Sequence, residues 1–223
     1  MLRAIAQKEW LKLWKIWWIV LALNMAAFGY LYVHLNHLFS VEHAEMIWYR
    51  SFEIGTLHYV SVKYLMLITG VLLGLAQFVP EMIGHRFRLS LQLPIRENTL
   101  VLLSLLVGLA AVMVIGVLDG LCLYGILRVF FPAEGAMSGL FTAVPWFFAG
   151  LAAYLGTALV TLEPQLSRKM ICLIIAGGFI WIFFQGNSYE SFDRVFPWPA
   201  LLSILFIPAV LLPAHRYRNR RAA

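Results

Sequence analysis

Asp119 is the one acidic residue inside a long apolar run of this sequence. A carboxylate costs about 2.5–3.5 kcal/mol at the centre of a membrane helix, so such residues usually mark a proton or substrate path. Counting about 1.5 Å per residue from Leu100 places Asp119 about 28 Å along its helix, near the outer boundary. Two interpretations stay open: a carboxylate in a transport pathway, or one that is hydrated or paired with Lys63 or Arg128.

Histidines form a second group with chemical potential. His34 and His37 are spaced to share a helix face, and His43 follows beside Glu42 and Glu45. Imidazole and carboxylate at such spacings can bind zinc, copper or haem iron. Nothing fixes one pair against the other, however, and histidines are common at a headgroup interface. We therefore predict no metal site and keep His34, His37 and His43 as weak candidates.

Motifs for catalysis are absent from the sequence. It contains no Gly-x-x-x-x-Gly-Lys-Ser/Thr, no His-Glu-x-x-His, no paired-cysteine motif and no Gly-x-Ser-x-Gly. The first of these would be needed to hold nucleotide phosphates in a P-loop. We expect a non-enzymatic chain without a cofactor of its own, so that any ATP and magnesium would be bound by a separate subunit.

The composition explains where these residues must lie. Of 223 residues, 62% are hydrophobic and 13% are charged, and the mean hydropathy is +0.82. A soluble globule of this size needs more polar surface, so the sequence predicts an integral membrane protein in contact with the lipid bilayer. The net charge of +6 comes from basic residues that flank apolar runs, which argues against nucleic acid as a partner.

Basic residues also predict the topology. Thirteen of the 17 lie at alternate ends of the apolar runs. Because Lys and Arg stay on the cytoplasmic side, this predicts an all-α, multi-pass protein of the inner (cytoplasmic) membrane with six transmembrane helices and both termini inside. It forms one transmembrane domain over 1–223, with predicted spans at about 14–34, 59–79, 100–131, 140–162, 170–184 and 198–213.

Two features surround these spans. Residues 2–15 are predicted to form an amphipathic helix in the interface, with tryptophans on one side and Lys8, Lys12 and Lys15 on the other. The alternative is that they simply begin the first span. Residues 185–197 form an outer polar segment, either between two marginal spans or as a re-entrant element. Glycine pairs at 70/74 and 116/120 have the spacing that permits close helix contact.

The predicted cytoplasmic loop 80–98, PEMIGHRFRLSLQLPIREN, is longer than the other inner connections. Its apolar stripe framed by charge is typical of a docking surface for a soluble partner. An ordinary connection with arginines that only obey the positive-inside rule is the alternative, in which Glu81 and Arg86 pair across one helical turn.

In this loop the chain resembles the membrane subunit of type 2 ATP-binding-cassette (ABC) permeases, although Gly84 and His85 replace the family's frequent Gly-Thr pair. The resemblance implies that residues 81–97 couple to an ATPase. The matching residues are Glu81, Arg86, Arg88, Leu89, Leu91, Leu93, Pro94, Ile95 and Arg96.

It further implies a permease that works with separate ATPase subunits and a second permease subunit, identical or similar. We expect export of a hydrophobic, amphiphilic or peptide-like substrate. A protein that handles metal or haem through the outer histidines without an ATPase, and a proton-coupled carrier that uses Asp119, are the alternatives.

Overall fold

The computed structural model describes residues 2–83, 97–186, 201, 203 and 206–211, and this part of the chain is helical without any strand. The helices are α1 (Leu2–Val41), α2 (Ala44–Phe52), α3 (Leu65–Ile83), α4 (Glu97–Phe130), α5 (Ala133–Leu162) and α6 (Leu166–Ile182), with a 3₁₀ turn at Val60–Val62 before α3. Four segments are long and apolar enough to cross a membrane: Leu2–Val41, Val60–Ile83, Asn98–Phe130 and Ala133–Leu162.

The first helix differs from its prediction. Residues 2–41 form one uninterrupted helix of 40 residues, so no break separates the expected interfacial helix from the first span, and the helix continues beyond position 34. Its lysines do not all point away from the protein, because Lys8 and Lys12 both contact Glu81 of α3. Electrostatic attraction to a buried acid thus overrides the simple division into an apolar and a basic side.

Candidate membrane-spanning segments lie at the second, third and fourth predicted spans, with different ends, and α6 overlaps the predicted fifth span. Helix α3 continues to Ile83 and includes Pro80, which was expected in the loop. Helix α5 begins seven residues before the predicted start at 140, and α6 covers Leu166–Ile182 rather than 170–184. Of the predicted sixth span, the described residues 201, 203 and 206–211 are helical.

Helices α3 and α5 pack closely through glycine. A β-carbon added to Gly70 would collide with the carbonyl oxygen of Gly150, and one added to Gly74 would lie 2.9 Å from Cβ of Thr157. Small residues let membrane helices approach until their backbones touch. The predicted close approach at Gly70 and Gly74 is therefore confirmed, and it occurs within the chain. The surface of α3 at these two glycines is therefore covered by α5 of the same chain.

A long seam joins α1 to α3 and α4. The buried residues of α1 recur at helical spacing, and Thr69, Leu73, Gln77 and Glu81 form one ridge of α3 at intervals of four. Trp17 is buried in this seam and donates a hydrogen bond from Nε1 to the carbonyl oxygen of Ala111 on α4, at 3.1 Å. The seam carries two clusters of buried polar side chains.

Candidate functional site

The first cluster, called the Glu81 cluster, joins the start of α1 to the end of α3. Glu81 forms ion pairs with Lys12 and with Lys8. The distance from Lys8 Nζ to Glu81 Oε1 is 3.3 Å. Lys12 also contacts Glu9 at 2.7 Å, one turn back along α1. Both acids are buried, with Glu9 4% and Glu81 7% exposed, whereas the Lys8 side chain is half exposed. Two acids therefore meet two lysines, and the charges balance.

Gln77 extends this cluster to two further helices. Its Nε2 donates to Glu9 at 3.1 Å and to the backbone oxygen of Ser104 on α4 at 2.8 Å. Its Oε1 accepts a hydrogen bond from the hydroxyl of Tyr154 on α5 at 2.7 Å. Gln77 and Tyr154 are both completely buried. One glutamine side chain thus links α1, α3, α4 and α5.

A glycine provides the space for these bonds. A β-carbon at Gly108 of α4 would collide with the hydroxyl oxygen of Tyr154 and with Oε1 of Gln77. A side chain at this position would push apart two groups that are hydrogen-bonded to each other. We therefore include Gly108 in the Glu81 cluster, with Lys8, Glu9, Lys12, Gln77, Glu81 and Tyr154.

Physically, the Glu81 cluster is a rigid connection. Hydrogen bonds to charged groups are each worth about 1.5–3 kcal/mol, and breaking a buried ion pair by removing one partner costs about 3–5 kcal/mol. Displacing the end of α3 without moving α1, α4 and α5 would require several such contacts to break. The four helix ends are therefore expected to move together.

The second cluster, called the Asp119 cluster, consists of Asn24, Thr69 and Asp119. Nδ2 of Asn24 donates to Oδ2 of Asp119 at 2.8 Å and to Oγ1 of Thr69 at 3.0 Å. All three side chains are buried, with Asn24 and Asp119 completely enclosed. The other carboxylate oxygen, Oδ1, has no hydrogen-bond partner among the described residues.

The predicted partners of Asp119 are wrong for the part of the chain that the structure describes. Asn24 takes the place expected for Lys63 or Arg128. Lys63 instead donates to the carbonyl oxygens of Phe184 and Gly186, at 3.1 and 3.3 Å, and lies 6.0 Å from the ring centre of Trp146. A cation suits the carbonyl groups at the end of α6, where the helix dipole is negative.

Within the described residues, the predicted candidates His34, His37 and His43 do not assemble a metal site. Across residues 2–83 and 97–186, together with the few described positions beyond, no group of three possible ligands is close enough to hold an ion. The ring of His34 stacks on that of Tyr30, with the ring centres 6.2 Å apart. Nearby, Arg50 forms hydrogen bonds to both carboxylate oxygens of Glu42, at 2.9 and 3.1 Å.

His58 lies outside the candidate spans, and its surroundings lower its pKa. Burial lowers its pKa from 6.5, and the positive charge of Arg50 lowers the pKa further. Its Nε2 has no hydrogen-bond partner among the described residues. His58 therefore favours the neutral form in the folded protein.

Of the residues predicted to couple to an ATPase, the structure describes only Glu81. The others, Arg86, Arg88, Leu89, Leu91, Leu93, Pro94, Ile95 and Arg96, lie outside the described residues, as does most of the predicted outer segment 185–197. Arg86, the alternative partner of Glu81, is one of these residues, and Glu81 contacts Lys8 and Lys12. No family model, curated protein or solved structure matches the chain.

Several residues of the two clusters were missed by the sequence analysis. Glu9 is the one acid in the basic start of α1, and Asn24 and Gln77 are amides within apolar runs. An uncharged polar residue inside a predicted span is a signal, because its unpaired burial is costly. Tyr154 gave no such signal, since tyrosine is also common in lipid-facing positions.

Proposed function

We propose that the chain is the transmembrane subunit of an ABC transporter of the type 2 permease class, driven by separate ATPase subunits that dock on residues 81–97. In this proposal it has six spans with both termini on the cytoplasmic side of the inner membrane. It pairs with a second permease subunit and exports a hydrophobic, amphiphilic or peptide-like substrate. ATP and magnesium are bound by the partner ATPase.

The observation that supports this function is the position of Glu81. It lies near the end of α3 and is the first residue of the segment 81–97, which is expected to receive force from an ATPase. Through Lys8 and Lys12 it holds the start of α1. A force applied to the loop would therefore act directly on a connected set of helix ends.

Transmission would proceed through neighbouring contacts. One turn before Glu81 on α3, Gln77 binds Glu9 of α1, the backbone of α4 and Tyr154 of α5. ATP-driven closure of the partner subunits would displace the loop and with it the Glu81 cluster. Since the cluster joins four helices, the displacement becomes a movement of the bundle rather than of one loop.

Purification of the complex tests the proposal. The tagged full-length chain is extracted from its native membrane in mild detergent, and the co-purifying proteins are identified by mass spectrometry while ATP hydrolysis is measured. We expect a P-loop ATPase in near-stoichiometric amount. The complex should be lost with Arg86→Glu and with Leu91→Asp.

Arg168→Glu is the matched control, because Arg168 is an exposed arginine at the start of α6, on the predicted cytoplasmic side but outside the coupling loop. It should leave the complex and its ATP hydrolysis intact. Retention of the ATPase by both loop variants, or purification of a folded chain without any ATPase, would refute the proposal.

A further inference from the structure

Asp119 presents one oxygen for which the described part of the chain offers no hydrogen-bond partner. The side chain is completely buried between α1, α3 and α4, and its Oδ2 is held by Asn24. Oδ1 is buried too, but among the described residues it meets neither a hydrogen-bond donor nor a basic side chain. An isolated carboxylate cannot stay ionised in such surroundings without a large cost, so it must bind a proton or a cation.

The position of Asn24 along α1 indicates the depth of this oxygen. Asn24 is the midpoint of the predicted first span 14–34, ten residues or about 15 Å of helix from either end. A span of about 30 Å matches the thickness of the hydrocarbon layer. The Asn24–Asp119 contact therefore lies deeper than the count from Leu100 indicated.

The geometry favours a proton over a metal ion. Sodium-like and divalent cations need several oxygen ligands, about six for magnesium and six to eight for calcium. Here the amide N–H group of Asn24 points at the carboxylate and at Thr69, and it would repel a cation. A proton needs only the one free oxygen. We propose that Oδ1 of Asp119 is a reversible proton-binding site inside the membrane.

The chemical step is simple and balanced. The carboxylate takes a proton from a hydronium ion: one O–H bond of hydronium breaks and leaves water, and a new O–H bond forms at Oδ1, while Asn24 keeps its hydrogen bond to Oδ2. Release of the proton restores the anion. Because the anion needs water and the neutral acid does not, ionisation requires the seam between α1, α3 and α4 to open, and proton binding closes it.

Cys122 provides an internal reporter of this opening. It lies one turn along α4 from Asp119, interacts with it electrostatically and is partly buried. The hydrogen-bond partner of Asp119 across the seam is the uncharged Asn24, which also bonds to the uncharged Thr69 of α3. The proposal does not depend on the permease function, because proton binding can be measured without an ATPase.

Infrared spectroscopy tests the site directly. The full-length chain is placed in nanodiscs of neutral lipid, and the carbonyl stretch of protonated carboxyl groups is followed as a function of pH. We expect a band in the position of a non-aqueous carboxylic acid that disappears reversibly at higher pH and is missing in Asp119→Asn. Absence of this band at every pH would mean a permanently ionised group, and a band that never titrates would mean a sealed structural acid; either result overturns the proposal.

A second variant separates the proton site from a folding defect. In Asn24→Val the anion loses its hydrogen bond, so the titration midpoint should move to higher pH by about one unit. Thr161→Ala is the control, because the Thr161 hydroxyl bonds to carbonyl groups of its own helix and lies outside both clusters. An unchanged midpoint in Asn24→Val, or an equal shift in Thr161→Ala, would contradict the assignment.

Alkylation tests the link to helix packing. A membrane-permeant maleimide is added over a range of pH, and labelling of Cys122 is quantified by mass spectrometry separately from Cys172. Thiolate formation accelerates the reaction in every variant, so Asp119→Asn supplies the baseline. We expect wild-type Cys122 to gain at least about tenfold over that baseline once Asp119 is ionised, a ratio that corresponds to about 1.4 kcal/mol. Identical pH profiles would refute the opening.

Discussion

The Glu81 cluster and the Asp119 cluster occupy the same seam but handle buried charge in different ways. In the Glu81 cluster, two acids face two lysines, and Gln77 bonds on both sides of its amide. In the Asp119 cluster, one carboxyl is held on one oxygen by an uncharged amide, and its other oxygen has no partner among the described residues.

The two clusters differ in whether they need a proton or water in addition to the protein's own side chains. The Glu81 cluster is complete, so its contacts resist separation and suit a mechanical connection. In the described part of the chain the Asp119 cluster is incomplete, so we expect its state to depend on a proton or on water. The acid at the end of the seam has cationic partners, whereas the acid in its middle has none among the described residues. Neutralising the acid should therefore change the stability of the protein in opposite directions at the two clusters.

Reversing the charge of Glu81 should have the largest effect. Glu81→Lys would place a third cation beside Lys8 and Lys12, and loss of a buried partner costs about 3–5 kcal/mol. We expect the free energy of unfolding in detergent to fall by that amount. Glu53→Lys, at an exposed acid after α2, is the control and should change it by less than about 0.5 kcal/mol. Equal losses in both variants would mean that the Glu81 cluster is not a structural connection.

Removing the central amide should have the next largest effect. Gln77→Leu leaves Tyr154 with only a 3.4 Å bond to the carbonyl oxygen of Leu105, and we expect a loss of about 2–3 kcal/mol. A double-mutant cycle checks the connection. Gln77→Leu combined with Tyr154→Phe should cost less than the sum of the single changes by at least about 0.5 kcal/mol, because both remove the same bond. Additive losses would contradict the bond.

Much of the fold could be predicted from the sequence because apolar runs and glycine spacing are local signals. The first four spans and the approach at Gly70 and Gly74 follow from them. The ends of helices could not be predicted as well, because Pro80 is tolerated in the last turn of α3 and an apolar pattern does not mark a helix end.

The clusters were less predictable, because each joins residues that are far apart in sequence. Asp119 and Glu81 stand out by type, yet their partners Asn24 and Lys12 are 95 and 69 residues away. The apparent candidates for Asp119, Lys63 and Arg128, were chosen by charge, whereas helix packing brings Asn24 into place. Pairing across a bundle depends on helix rotation, which composition alone does not determine.

Neutralising Asp119 should have a smaller effect of opposite sign. Asp119→Asn removes the charge but keeps an oxygen that can accept from Asn24, so at alkaline pH we expect the protein to gain about 1 kcal/mol of stability. Glu81→Gln should lose stability under the same conditions, since Lys8 and Lys12 lose their partner. Unfolding of both variants in the same detergent provides the comparison. A loss in Asp119→Asn equal to that in Glu81→Gln would mean that Asp119 is paired as fully as Glu81.

The smallest effect is expected at His58, whose pH response runs opposite to that proposed for Asp119. Burial and then Arg50 lower the pKa of His58 below 6.5 in the folded state. Unfolding therefore favours proton binding, and the stability linked to His58 is fully present above pH 6.5 and is lost as the pH falls through the folded pKa. His58 therefore reduces the stability of the fold as the pH falls, whereas ionisation of Asp119 is proposed to reduce it as the pH rises.

His58→Gln should remove this acid-side loss while leaving the alkaline behaviour unchanged. Unfolding midpoints measured across both ranges, with His37→Gln as the control at an exposed histidine on α1, separate the two contributions. A flatter acid limb in His58→Gln alone would assign the acid-side loss of stability to His58. If His58→Gln and His37→Gln behave alike, the burial of His58 does not control its titration, and the acid limb must arise elsewhere in the chain.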